Sequence, residues 1–123
     1  MSKYHARKVV RGGKTFDSAK EARRFGELSL LQKAGEISDL RTQVKYVLIP
    51  AQREPDTVGK RGGVIKGRLI ERECAYIADF VYKRNGVEVV EDVKGYKGGT
   101  AYALFSCKRK LMLWVHGIHI NEI

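Results

Sequence analysis

Two aspartates and a lysine stand in neighbouring apolar segments of the chain. Asp79 lies within the segment 74–83, and Asp92 and Lys94 lie within the segment 87–94. Directly opposed residues on paired strands have Cβ atoms ~5 Å apart, and like charges there are destabilising. If the two aspartates face each other, a divalent cation bridging both carboxylates would offset the repulsion, and oxygen ligands suit Mg²⁺. The lysine ammonium can then contact either a carboxylate or an attacking water.

A short turn predicts that pairing. Asn85-Gly86 separates the two segments, and Asn-Gly is a strong hairpin signal because both turn residues need positive φ. With these residues as the loop, Asp79 falls opposite Asp92. The alternation of a strand then places Ile77, Asp79 and Val81 on one face, together with Val90, Asp92 and Lys94. A solvated cluster of surface charges is the alternative interpretation, and the aliphatic members of this face argue against it.

A third acid is predicted on the first helix. Ser18 and Glu21 have the spacing of a capping box, and Gly35 closes the helix. Glu21 follows the helical spacing of Phe25 and Leu28, so we expect it at the edge of the buried stripe. It either serves only as part of the cap or also reaches the acidic site, and the two roles can coexist.

The elements that position these residues follow the order helix, three strands, helix, strand. The predicted segments are a basic extended stretch at 3–15, a helix over 18–35, strands at 43–49, 74–83 and 87–94, a helix at 101–116 capped by Thr100 and ended by Gly117, and a strand at 118–123. The segment 50–70 holds both prolines and several glycines and predicts a long mobile loop. The last strand–helix–strand unit should be a right-handed crossover. These elements predict one α/β domain over 1–123.

The charge of the chain indicates a polyanionic partner. Lys and Arg number 24 and Asp and Glu 14, for a net charge of +10. Nucleic acid is favoured over a membrane surface, because no apolar run approaches the ~20 residues of a bilayer span. Cys74 and Cys107 have no metal-binding spacing and predict reduced, mostly buried thiols. With no apolar signal segment in MSKYHARK, we expect a cytoplasmic protein.

Eight basic residues are the predicted DNA contacts. They are Arg7, Lys8, Arg11, Lys14, Lys60, Arg61, Lys97 and Lys108. Lys108 lies among apolar residues of the second helix, so it either reaches a phosphate or the acidic face or extends its ammonium into solvent.

The segment Asp79…Glu91-Asp92-Val93-Lys94-Gly95, behind a helix carrying Glu21, resembles the PD-(D/E)xK nuclease superfamily. Ala78 precedes the first acid where that pattern has its nominal proline. The helix glutamate is similar to the branch that contains archaeal-type Holliday junction resolvases. The stretches FDSAKEA and YIADFVY…VVEDVKG also resemble short phage-encoded nucleases. The likeness spans nearly the whole chain except 50–70.

The resemblance implies a restriction-endonuclease-like core, a mixed central sheet flanked by helices. It also implies phosphodiester hydrolysis with Mg²⁺ or Mn²⁺. Asp79 and Asp92 would bind the metal with the Val93 carbonyl, and Glu21 would bind the metal or its water. Lys94 would orient the attacking water and help to deprotonate it.

Three functions are compatible with this pattern. We expect a junction-resolving endonuclease that acts as a homodimer in a bacterium or a phage-infected cell, since a symmetric four-way junction needs two coordinated cuts. A nicking or restriction-like enzyme for duplex DNA is the alternative among nucleases. A non-catalytic nucleic-acid-binding domain is the alternative from another class, and the four intact site residues argue against it.

Overall fold

The computed structural model describes residues 8–123, and Arg7, one of the predicted DNA contacts, lies outside them. The elements are β1 (Val9–Arg11), β2 (Lys14–Phe16), α1 (Ala19–Lys33), β3 (Ser38–Ile49), β4 (Gln52–Arg53), β5 (Thr57–Val58), β6 (Val64–Ile65), β7 (Leu69–Glu71), β8 (Cys74–Arg84), β9 (Val87–Asp92), α2 (Gly99–Leu111), a π-helical turn (Met112–His116) and β10 (Asn121–Glu122).

A mixed four-stranded sheet forms the centre of the fold. Its strand order is β10-β9-β8-β3, with β10 parallel to β9 and the other pairs antiparallel. Parallel neighbours need a crossover connection, and α2 supplies it between β9 and β10. The predicted mixed α/β architecture with its order of helix, three strands, helix and strand is therefore confirmed.

The β8–β9 hairpin has the predicted turn and register. Asn85 and Gly86 have φ values of 53° and 74°, as a two-residue turn of this kind requires. Val81 pairs with Val90, and the last paired position joins Phe80 to Glu91. The next position along the hairpin brings Asp79 and Asp92 level with each other.

Helix α1 has both predicted caps. The Ser18 Oγ accepts a hydrogen bond from the Glu21 backbone N–H at 3.1 Å, and Gly35 has a φ of +82°. The helix buries Ala22 and Leu28 against the sheet. There the apolar residues around them form one of two cores, made of Phe16, Ala22, Leu28, Ile37, Phe80 and Tyr82.

The second core lies against α2 and the π-helical turn. Its buried members are Leu48, Tyr76, Ala78, Val81, Val90, Phe105, Met112 and Ile120. Gly117 ends the turn in the left-handed conformation, as predicted, whereas the N-cap of α2 is Gly98 and not Thr100. Within residues 8–123, no helix has the length and apolar character that a bilayer crossing requires.

The alternation of side chains between the two faces of the sheet changes at the centre of β8. The predicted grouping of Ile77 and Val81 on the face of the site is therefore wrong. Ala78 and Val81 belong to the same core although three residues separate them, and Ile77 is 46% exposed rather than beside the aliphatic residues of the site. The change coincides with Gln43 on β3, whose φ is 53°. A left-handed residue interrupts the regular pleat, so the strict two-residue period does not hold across this point.

Three smaller expectations also differ from the structure. The segment 50–70 is not a loop without regular structure, because it contains two antiparallel ladders, β4–β7 and β5–β6. The final strand covers only Asn121–Glu122. Both thiols are free, but Cys107 is exposed and Cys74 is half-buried, because the apolar contacts of α2 lie on its Phe105 side.

Candidate active site

An open cavity of about 460 Å³ lies where the start of α1 meets the centre of β8 and the end of β9. It is lined by Asp17, Ser18, Lys20, Glu21, Asp79, Asp92, Val93, Lys94 and Gly95. All four predicted catalytic residues, together with the predicted backbone ligand Val93, therefore lie around one space. Three separate elements supply them.

Asp92 is the most firmly held acid of the cavity. Its side chain is almost completely buried. The Tyr76 hydroxyl donates to its Oδ1 at 2.7 Å, and the Lys94 ammonium lies 2.5 Å from its Oδ2. The same ammonium lies 3.4 Å from the centroid of the Phe105 ring, where a cation is attracted to the aromatic face. Lys94 is thus fixed between a carboxylate and an aromatic ring.

Asp79 lies level with Asp92 and has a backbone partner. The Val93 N–H donates to its Oδ2 at 2.8 Å. Burial raises the pKa of Asp79 to about 6, and the negative charge of Asp92 adds to this, against the lowering effect of the Val93 N–H and of Lys94. The repulsion expected between opposed carboxylates is therefore present in the fold.

Glu21 enters the cavity from the first turn of α1. Its side chain is only 6% exposed, and the Gln43 side-chain amide donates to its Oε1 at 3.2 Å. Burial raises its pKa to about 7, with further increases from the charges of Asp79, Asp17 and Asp92. The backbone N–H of Glu21 supplies half of the predicted capping box, while its carboxylate contacts Gln43 and faces the other acids.

The donor set of the cavity suits a hard divalent cation in its chemistry. Carboxylate oxygens are the ligands that Mg²⁺ takes in proteins, and the mutual repulsion of Asp79, Asp92 and Glu21 is what such a cation would relieve. Among residues 8–123 no group of three or more His, Cys, Asp or Glu side chains already has a ligating arrangement. One reason is that Tyr76 and Lys94 occupy the two oxygens of Asp92.

Comparison with known proteins identifies the family of the chain. The model of the family described as "Protein of unknown function (DUF1064)" matches residues 1–115. The chain belongs to this family. No curated protein and no solved structure matches it. The description of the family states no activity.

Lys20 is a cavity residue of the DUF1064 protein that the sequence analysis missed. Its ammonium donates to the Lys94 carbonyl at 2.6 Å and to the Ile123 carbonyl at 2.9 Å. Lys20 thereby ties the start of α1 to the segment that carries Lys94. Its position directly before Glu21 was the available signal, although a lysine on the first turn of a helix is usually solvated. Gln43 and Tyr76, which hold two of the acids, were missed as well.

Glu91, adjacent to Asp92, has a structural role on the other side of the sheet. It is 1% exposed, and Arg24 of α1 contacts it with two nitrogens at 2.8 and 2.6 Å. The Tyr82 hydroxyl donates to the same carboxylate at 2.5 Å. A fully partnered buried ion pair holds α1 against β9, and it thereby places Glu21 over the cavity.

The predicted DNA contacts lie on several elements of the DUF1064 protein. Lys60 and Arg61 are exposed at the turn between β5 and β6, and Lys8 is exposed before β1. Lys14 donates to the Thr42 hydroxyl at 3.2 Å, and Lys97 lies 4.0 Å from Glu122. The remaining two predicted contacts within the described residues are Arg11, which is exposed, and Lys108, which is half-buried.

Lys108 does not lie within a buried stripe. Of the apolar residues at helical spacings from Lys108, Leu104 and Val115 are exposed, whereas Met112 is fully buried and Leu111 packs against the second core. Lys108 therefore lies at the border between the core and the exposed helix surface. A long lysine stem on such a surface carries its ammonium into solvent.

Proposed function

We propose that this protein is a metal-dependent DNA endonuclease with a restriction-endonuclease-like core, whose active site is the cavity described above. The observation that supports this most is the convergence of Glu21, Asp79, Asp92 and Lys94 from three elements onto one open space. Fold stability alone does not favour such a cluster, because buried like charges destabilise the folded state. A catalytic site is where such a cost is commonly retained.

In this proposal Asp79, Asp92, Glu21 and the Val93 carbonyl hold Mg²⁺ or Mn²⁺. When bound, the ion acidifies a water molecule and stabilises negative charge developing on the phosphorus centre. The chain itself supplies positioning. Tyr76 fixes the Asp92 carboxylate, and the Phe105 ring holds the Lys94 ammonium at the cavity wall. Lys94 orients the attacking water and assists removal of its proton.

The proposed substrate is DNA, with four-way junctions preferred and the protein acting as a homodimer. A net charge of +10 supports a polyanionic partner. The predicted contacts lie on several separate elements, which suits phosphate binding more than the reading of base sequence. Two-fold dimers are the commonest closed assembly, and they present two equivalent sites to a junction that needs two cuts. A nicking or restriction-like activity on duplex DNA is the alternative that the same site supports.

One set of cleavage reactions tests this proposal. Purified protein is incubated with a labelled four-way junction and, in parallel, with duplex, single-stranded and flap DNA of matched length. We expect cleavage in Mg²⁺ or Mn²⁺, binding with little turnover in Ca²⁺, because its looser coordination positions water poorly, and no cleavage in EDTA. Undiminished cutting in excess EDTA would remove the metal from the proposal, and a monomer that prefers linear duplex would favour the nicking alternative.

A further inference from the structure

Residues 52–71 form a two-stranded arm that continues β3 and β8 beyond the central sheet. Near its base Gln52 pairs with Glu71, and nearer its tip Val58 pairs with Val64. Backbone hydrogen bonds from Glu54 to Arg68 and from Gly59 to Gly63 join the same two chain segments. The segment is therefore one antiparallel ribbon with a turn at 59–63, and we call it the β-arm.

The β-arm does not pack on either core. Between residues 50 and 73 every residue is exposed except Gly59 and Gly67, which are half-buried. Val58 and Val64 at the tip are each 74% exposed. Burial of apolar surface is the main favourable contribution to folding, and here it is almost absent. The stability of the domain therefore does not explain why the chain builds this ribbon.

Charge on the β-arm is divided between its tip and its base. From 57 to 70 the sequence has no acidic residue and four basic ones. Of these, Arg68 pairs with Glu54 near the base, whereas Lys60, Arg61 and Lys66 make no ion pair within residues 8–123. The acidic residues of the arm, Glu54, Asp56 and Glu71, all lie outside this stretch and towards the base. The tip is thus a cationic surface without internal compensation.

The β-arm leaves the sheet at the N-terminal end of β8, towards which the Asp92 end of β9 also points. Asp79 is five residues from Cys74, where β8 begins at the arm base, which spans ~17 Å along a strand. Gly62 in the tip is twelve residues from Cys74, so the tip reaches up to ~40 Å beyond it. The Asn85-Gly86 turn is at the opposite end of the same hairpin. For a fully extended ribbon the two spans add to ~57 Å, which is the upper limit of the separation between the cavity and the tip and exceeds one turn of B-DNA, ~34 Å.

We propose that the β-arm is a second binding site for duplex DNA, with its basic tip against phosphates up to ~57 Å along the duplex from the bond at the cavity. A two-stranded ribbon fits the major groove, which is ~12 Å wide, and Lys60 and Arg61 then contact the phosphates that border it. The identity of the duplex as DNA rests on the proposed function. The contact is independent of base sequence because the tip offers cations, glycines and short aliphatic side chains.

Two double variants test the β-arm with matched loss of charge. Lys60→Ala/Arg61→Ala removes two adjacent exposed cations at the arm turn, and Lys83→Ala/Arg84→Ala removes two at the other end of the sheet. Affinity for a 30-base-pair duplex is measured by fluorescence anisotropy in Ca²⁺ over a range of salt concentrations. We expect the arm variant to bind ~10-fold more weakly, with a salt slope smaller by about 2. The control variant should bind like the unmodified protein.

Duplex length provides an independent measurement. A duplex of ~8 base pairs is ~27 Å long, which is less than half of the extended span from the cavity to the tip, so it does not bridge the two proposed contacts. The difference between the arm variant and the unmodified protein should therefore disappear on it.

Three results would overturn the β-arm proposal. They are an equal loss of affinity in both double variants, an unchanged affinity in the arm variant, or a change of oligomeric state by light scattering with unchanged affinity per protomer. Cleavage by the unmodified protein in Mg²⁺ is scored separately. Arm-dependent binding without any cleavage would reject the nuclease and leave the arm site, whereas metal-dependent cleavage with an unaltered arm variant would reject only the arm.

Discussion

Charged side chains have opposite environments in the cavity and on the β-arm. In the cavity Glu21 and Asp92 are buried and Asp79 is half-buried, and the pKa is raised to about 6 for Asp79 and to about 7 for Glu21. On the β-arm the tip cations Lys60 and Arg61 are exposed. Burial positions a charge and stores unfavourable electrostatic free energy that a bound cation can release. Exposure leaves the charge solvated and adds little to stability in either direction.

The largest contrast should appear between cleavage and binding. Asp92→Asn and Lys94→Ala should each lower cleavage by at least ~100-fold, because each removes a main electrostatic or proton-transfer contribution. DNA affinity should remain near normal. Single-turnover cleavage and anisotropy in Ca²⁺ measure the two effects. Asp39→Asn is the matched control, since Asp39 is an exposed acid in a left-handed conformation that asparagine also adopts. Normal cutting by the two site variants would remove the cavity from consideration as the active site.

Two arginine–glutamate ion pairs, one buried and one exposed, test whether burial also determines how much a charge contributes to stability. Arg24→Ala leaves the buried Glu91 without its charged partner and should lower the free energy of unfolding by ~3 kcal/mol. Arg68→Ala breaks the exposed pair with Glu54 on the β-arm and should lower it by less than ~1 kcal/mol. Urea unfolding of both variants provides the measurement. Equal losses would mean that burial does not distinguish the two regions.

Substitution of Glu21 distinguishes its role in the helix cap from its proposed role in catalysis. Glu21→Gln retains the hydrogen bond from the backbone N–H of residue 21 to the Ser18 Oγ. The unfolding midpoint should therefore stay near that of the unmodified protein. Cleavage should fall by ~10-fold or more, because an amide replaces a carboxylate among the proposed metal ligands. Thermal unfolding and single-turnover cleavage are measured side by side. Unaltered cleavage would reduce Glu21 to its structural role in the helix cap.

The smallest effect concerns the stability of the protein without metal. Because folding raises the pKa of Asp79, the folded state binds more protons than the unfolded state between about pH 4 and 7, and its stability falls as pH rises through this range. Asp79→Asn removes that fall. In EDTA we expect its Tm to exceed that of the unmodified protein by ~3 °C or more at pH 8, with no gain at pH 4. A gain of equal size at both pH values would contradict the electrostatic explanation.

Local backbone chemistry was predictable from the sequence alone. The Asn85-Gly86 turn, the Ser18 cap and the left-handed Gly35 and Gly117 were all predicted, and each has the expected conformation. A turn or cap depends on a few adjacent residues, so its signal is contained in a short stretch of chain. The hairpin register followed from the turn, and with it the level positions of Asp79 and Asp92.

Contacts between distant segments were decided only by the tertiary structure. Arg24 and Glu91 are 67 residues apart, and Lys20 and Lys94 are 74 apart. No local pattern identifies such partners, because many pairings of similar charge are compatible with one sequence. The change of alternation at Asp79 likewise depends on Gln43 in a neighbouring strand. The β-arm is another example. Its prolines and glycines predict a mobile loop when only neighbouring residues are considered. Pairing across the ribbon depends instead on β3 and β8 being held side by side in the sheet.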